Sequence, residues 1–117
     1  MSRSGDTGLL GEQLAAAYLE RRGMRLAERR YRCRFGEIDL VAWDGDTLCF
    51  VEVKTRTSCT VGLPREYVTA KKQEKLRSAA LLYLSERGLD CPARFDVAEV
   101  YLKAGRKVRI DYMENAF

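Results

Sequence analysis

The chain has 117 residues and 13.4 kDa, room for one domain with a single core, and its 46% hydrophobic content is that of an ordinary globular protein. No stretch approaches the ~18 consecutive apolar residues of a membrane span, and the first residues lack the apolar segment of a secretory signal, so a cytoplasmic protein with no membrane association is expected. The absence of histidine excludes Ser-His and Cys-His catalysis, while 21 Lys and Arg against 17 Asp and Glu, a net +4, favour a polyanionic partner without naming it.

From residue 8 to 22, Leu10, Leu14, Ala17 and Tyr18 recur at helical spacing, with Asp6 or Thr7 as N-cap and Gly23 as C-cap, which predicts a first helix. Glu12 shares a stripe with Leu9, Ala16 and Leu19, so its carboxylate points toward the protein; the competing reading is an early acid that complements the helix dipole. After Gly23 the period becomes that of strands: 24–33, a twisted or edge strand, then 37–43 and 48–54. The link Asp44-Gly45-Asp46-Thr47 fits a hairpin with Gly45 first in a type II′ turn.

A loop over 55–69, containing Gly62-Leu63-Pro64, leads to Thr69, which can cap a second helix. That helix has the buried stripe Leu76, Ala79, Ala80, Tyr83 and Leu84 and ends at Gly88. Strands over 93–102 and 107–113, joined at Ala104-Gly105, complete the order α-β-β-β-α-β-β. The fold class is therefore α/β, one domain over 1–117 with a mixed central sheet flanked by helices. Cys33, Cys49, Cys59 and Cys91 form no C-x-x-C pair, so structural zinc is not expected.

The hairpin carries the chemistry. A two-residue turn at Gly45-Asp46 sets a register in which opposing residue numbers sum to 91. Asp39 then lies opposite Glu52, with Val41 opposite Phe50 and Trp43 opposite Leu48. The other face pairs Ile38 with Val53, Leu40 with Val51 and Ala42 with Cys49, and is wholly apolar. Two carboxylates facing each other among Val41, Phe50 and Trp43 repel, and low local dielectric sharpens the conflict.

A divalent cation removes that conflict. Asp39, Glu52 and the Val53 carbonyl suit Mg2+ (or Mn2+), with oxygen ligands at ~2.0–2.1 Å. Lys54 projects from the same face, where an ammonium would orient water or stabilise charge on a phosphate. Glu37, opposite Lys54, is an added ligand or the lysine's ion-pair partner. The set describes metal-assisted attack of water on a phosphodiester. A solvated salt-bridge surface, the usual explanation of charged sheet faces, would alternate charges where this register matches like with like.

Two basic segments flank these residues. The second helix opens with Lys71, Lys72, Gln73 and Lys75, although positive charge there opposes the helix dipole by ~0.3–1 kcal/mol, a placement that suits a site meeting phosphate. Arg25, Arg29, Arg30, Arg32 and Arg34 alternate around Tyr31 and Phe35, either as a phosphate-backbone track or as a solvated strand face.

Gly36-Glu37-Ile38-Asp39-Leu40-Val41 followed by Phe50-Val51-Glu52-Val53-Lys54-Thr55-Arg56 resembles the YraN-like bacterial family. Its members are placed in the PD-(D/E)XK, restriction-endonuclease-like superfamily that also holds archaeal Holliday-junction resolvases. The resemblance extends to Gly11-Glu12, Lys72-Gln73, Arg94-Phe95-Asp96-Val97 and the ending Glu114-Asn115-Ala116-Phe117. It implies a mixed sheet with a helix on each side and catalytic Asp39, Glu52, Lys54 and Glu12. Around these, Glu37 and Gln73 are expected to support the site, and Arg32, Arg34, Arg56, Lys71 and Lys72 to contact nucleic acid. Two positions depart from the pattern: Ile38 replaces the motif's proline, and Arg30 stands where the family has asparagine.

The expected function is thus a magnesium-dependent endonuclease acting on DNA, branched or otherwise structured DNA included, with a homodimer suited to two-fold junctions. The alternative is a non-catalytic nucleic-acid-binding module that retains the nuclease fold.

Overall fold

A computed structural model describes residues 3–57 and 68–117, with the backbone alone for 3–7. It contains α1 (Arg3–Arg21), β1 (Arg25–Cys33), β2 (Gly36–Asp44), β3 (Thr47–Arg56), α2 (Ala70–Glu86), β4 (Ala93–Lys103) and β5 (Arg106–Met113). The expected element order holds throughout. The Gly62-Leu63-Pro64 loop and Cys59 lie outside the described residues. No helix among those residues is long and apolar enough to cross a membrane.

Both helix ends follow from local chemistry. Gly23 adopts φ +88°, and the Gly23 and Met24 amides donate to Glu20 and Leu19, closing α1 with the paired bonds of a Schellman motif. Gly88, at φ +61°, closes α2 in the same way through Leu89 and Leu84. Thr69 caps α2, its hydroxyl accepting the Lys72 amide at 3.2 Å. At its start α1 differs from expectation: it runs back to Arg3, past Asp6 and Thr7, so neither is its N-cap.

The five strands lie in the order β1-β2-β3-β4-β5, with β3 and β4 parallel and every other pair antiparallel. The parallel pair requires a crossover, which α2 supplies. β1 is an edge strand, as expected. Positive φ at Gly45, with none at Asp46, is the requirement of a type II′ turn, and Asp44–Thr47, Trp43–Leu48, Ala42–Cys49, Val41–Phe50 and Leu40–Val51 pair in the expected register.

Helices cover both faces of the sheet. Ala15, Ala16 and Leu19 of α1 pack on Leu40, Ala42, Cys49, Val51, Ala98 and Val100. Leu76, Ala79, Ala80 and Tyr83 of α2 pack on Tyr31, Ile38, Val41, Leu48, Phe50 and Val97. Burying a side chain such as Leu40 or Phe50 contributes about 1.5–3 kcal/mol, so these two layers account for the order of the sheet.

Ile38 departs from expectation, for it packs under α2 instead of sharing the α1 face with Leu40 and Ala42. The reason is across the ladder. Arg30 takes the left-handed φ of +52°, and the β1–β2 pairing goes from Arg29–Leu40 to Tyr31–Ile38 with no rung for Arg30 or Asp39. A positive-φ residue interrupts the two-residue alternation as a bulge does, turning Tyr31 and Ile38 together toward α2.

Candidate functional site

The β2–β3 ladder ends at Leu40–Val51, one step before the expected Asp39–Glu52 pair. There the strands part. The Asp39 carboxylate bridges the gap, with Oδ2 accepting the Val53 amide at 2.8 Å. A strand residue presents its N–H and C=O to the same neighbour, so the Val53 carbonyl faces this gap as well. The expected opposition of Ile38 with Val53, and of Glu37 with Lys54, is lost for the same reason: rungs beyond the parting do not form.

Glu52 is 6% exposed, beside Val97 of the adjacent parallel strand and under the start of α2. Its Oε2 accepts the Lys72 ammonium, and the Lys54 ammonium stands at 3.9 Å. Burial works against the charged Lys72, but contact with Glu52 outweighs it and its pKa is raised. Burial, followed by the charge of Glu52, pushes the Asp39 carboxyl up to about 7, although the Val53 amide pulls the other way; the Glu12 charge adds to the rise. Asp39 and Glu52 therefore stand close together in one partly dry place.

Glu12 approaches from the opposite face of the sheet. Gly11 makes this possible, because a Cβ there would fall 2.0 Å from Thr55 Oγ1, so only glycine lets α1 settle so closely on β3. The Glu12 carboxylate accepts Arg30 Nε at 2.7 Å. This inward orientation agrees with the helical stripe, except that Leu9 of the same stripe is exposed. Sequence reasoning missed Arg30 as the partner.

The remaining expected residues divide. Glu37 pairs with Arg32 at 2.5 Å and so is not the partner of Lys54. Gln73 donates to the Val68 carbonyl at 2.9 Å, steadying the approach to α2 from beneath its first turn. Arg56 is turned inward, its guanidinium 3.0 Å from the buried Glu99 carboxylate. Arg34 stacks over Phe35 at 4.8 Å, Arg25 over Trp43 at 5.8 Å, and Lys71 is exposed at the head of α2. Arg25, Arg30 and Arg32 of β1 thus each have a different partner, Trp43, Glu12 and Glu37.

Two further acids are buried: Asp96, which the sequence reading named only within the Arg94-Phe95-Asp96-Val97 resemblance and gave no role, and Glu99, which it did not single out. Asp96 binds Arg94 Nε through both oxygens at 3.1 Å, the Tyr112 hydroxyl at 2.5 Å and the Asn115 amide at 3.0 Å, tying the last residues to β4. An acid inside an otherwise apolar strand was the signal in each case.

Among the described residues no group of three or more acidic or cysteine side chains is gathered to hold a metal. The donor set here is two carboxyls and a main-chain carbonyl. That composition fits magnesium, which retains several waters and takes one or two protein carboxylates. It also fits the raised Asp39 value, since a cation stabilises the ionised form that burial and Glu52 disfavour.

A model of the uncharacterised protein family UPF0102 matches residues 11–100. Among similar relatives, the UPF0102 protein of Syntrophus aciditrophicus is 51% identical over 118 residues, covering 100% of this chain and 92% of the relative. That of Geobacter sulfurreducens is 50% identical, covering 94% of this chain and 87% of the relative, and that of Pelotomaculum thermopropionicum is 46% identical, covering 94% and 93%. These names state no activity.

Proposed function

The chain belongs to the uncharacterised protein family UPF0102, and we propose that it is a metal-dependent endonuclease of the PD-(D/E)XK, restriction-endonuclease-like kind, hydrolysing phosphodiester bonds in DNA, branched or otherwise structured DNA included. One observation carries this reading: Asp39 leaves the ladder to sit in the strand gap beside the buried Glu52, where burial and the Glu52 charge disfavour ionisation of Asp39. A sheet gains nothing from that pairing alone.

Asp39, Glu52 and the Val53 carbonyl would hold Mg2+ or Mn2+. Such a cation, when bound, supplies an acidified water and neutralises charge developing on the phosphate. Lys54, on the sheet with its ammonium 3.9 Å from Glu52, would orient that water or stabilise the phosphoryl oxygens. Glu12, held by Arg30, contributes negative charge from the α1 side, and the net +4 of the chain favours the polyanion.

The test is cleavage of linear, flapped and four-way DNA with Mg2+ or Mn2+, comparing wild type with Asp39→Asn, Glu52→Gln and Lys54→Met. Cation-dependent cleavage lost in all three folded variants is the expected result. Retained cleavage in Asp39→Asn would sink this centre. DNA bound equally by wild type and Asp39→Asn, with no substrate cut, would favour the non-catalytic binding module.

A further inference from the structure

Lys72 differs from the exposed Lys71 and Lys75 beside it at the start of α2 because its ammonium is bonded to Glu52, an acid of the centre. Resting on the metal-dependent reading above, we propose that Lys72 is the centre's resident counter-ion: it neutralises Glu52 in the cation-free protein, and a divalent cation displaces it toward the substrate phosphate, where it becomes a binding residue.

Glu52 is 6% exposed, so an unpaired charge there would be strongly disfavoured, and the Lys72 ammonium bonds the same oxygen that Lys54 approaches at 3.9 Å. A divalent cation and two ammoniums cannot crowd onto one carboxylate without repulsion. The lysine that can leave is Lys72. Its side chain is 44% exposed, against 22% for Lys54, which is anchored in the middle strand. The Lys72 backbone does not have to move, because its amide is fixed to the Thr69 cap at 3.2 Å, so the swing is confined to a four-carbon chain.

There is also somewhere for that chain to go. A cleft of about 80 Å³ lies between the β1–β2 turn and α2, lined in part by Phe35, Glu37, Lys72 and Lys75. An ammonium released into it would stand with Lys75 beside the acidic centre, where a phosphate backbone crossing the start of α2 would meet both.

The test uses the full chain and Mn2+ alone, titrated by calorimetry into wild type, Lys72→Met, Lys75→Met and Asp39→Asn. Removing the competing ammonium should tighten Mn2+ binding about tenfold in Lys72→Met, whereas Lys75→Met, which loses a charge not bonded to Glu52, should change it by about twofold at most. In parallel, lysine acetylation read by mass spectrometry should show the Lys72 rate rising several-fold on Mn2+ addition, with Lys103 and Lys107 unchanged. Equal or weaker Mn2+ binding in Lys72→Met, or a Lys72 acetylation rate that stays flat or falls with Mn2+, overturns the proposal while leaving the metal centre standing. Absence of Mn2+ binding in both wild type and Lys72→Met, or its persistence in Asp39→Asn, overturns the proposal and the metal-dependent reading together.

Discussion

The carboxylate of Asp39 accepts the backbone amide of Val53 at 2.8 Å, taking the place of a rung where β2 and β3 separate. A side chain here completes hydrogen bonding that the ladder abandons, and the same gap gathers Glu52 and the Val53 carbonyl. Structural integrity and the proposed chemistry therefore meet on one carboxyl group.

This arrangement makes stability depend on pH. The Asp39 carboxyl is raised from 3.8 to about 7 in the folded chain, so the folded state holds the proton more tightly than the unfolded one. The associated stabilisation is present in full below about pH 4 and is lost as pH rises through about 7. In Asp39→Asn the amide oxygen still accepts the Val53 N–H and no charge forms. Thermal unfolding without divalent cations should give wild type a melting temperature that falls relative to Asp39→Asn between about pH 5 and pH 8, the variant being the more stable at the upper end. Parallel curves would show that Asp39 titrates as an ordinary carboxylate.

Gly11 and Thr55 form a second pair whose geometry sets an outcome. A methyl group on residue 11 would overlap Thr55 Oγ1 at 2.0 Å, pushing α1 off β3 and carrying Glu12 with it. Overpacking of this kind costs about 1–3 kcal/mol, so Gly11→Ala should lower the urea midpoint despite alanine's better helix propensity. Gly11→Ala with Thr55→Ala should recover part of the loss. A single variant as stable as wild type would mean that the helix seats on β3 less tightly than described.

Asp96 is fully buried and satisfies Arg94, Tyr112 and Asn115 at once. Asp96→Ala leaves Arg94 with Asp44, 3.0 Å away, as its remaining close anion and strips the Tyr112 hydroxyl and the Asn115 amide of their acceptor, which should cost about 3–5 kcal/mol. Asp96→Asn keeps an acceptor and should cost about 1–3 kcal/mol. Hydrogen exchange gives the specific readout, because the Asn115 amide bonds Asp96 whereas the Ala116 amide bonds the Phe95 carbonyl. In Asp96→Asn the Asn115 amide should exchange faster than in wild type even where global unfolding is slow; equal protection would sever the link between Asp96 and the C-terminal residues.

Much of this was legible from residue order. Period and turn chemistry placed the elements, Gly45 set the hairpin register from Leu40–Val51 to Asp44–Thr47, and like acids at 39 and 52 marked the centre proposed above. Glu12 on the inner stripe of α1 was readable for the same reason: a side chain's direction on a helix follows from its neighbours three and four residues away.

What the residue order left open depends on contacts between segments far apart in the chain. The parting of the strands past Leu40 follows the left-handed Arg30 on the neighbouring strand, which period-two reasoning cannot anticipate because it assumes that every residue alternates. Lys72 read as one basic residue of a helix N-terminus, and Arg56 as one of a phosphate-facing set. Their partners, Glu52 and Glu99, were chosen only when α2 was laid across the sheet and β4 entered beside β3. Sequence by itself determined the elements, the hairpin and the identity of the acids, because those rest on local sterics and burial period. Tertiary structure alone decided which cation answers each acid, because a charge pair forms wherever packing brings two side chains within reach, whatever their separation along the chain.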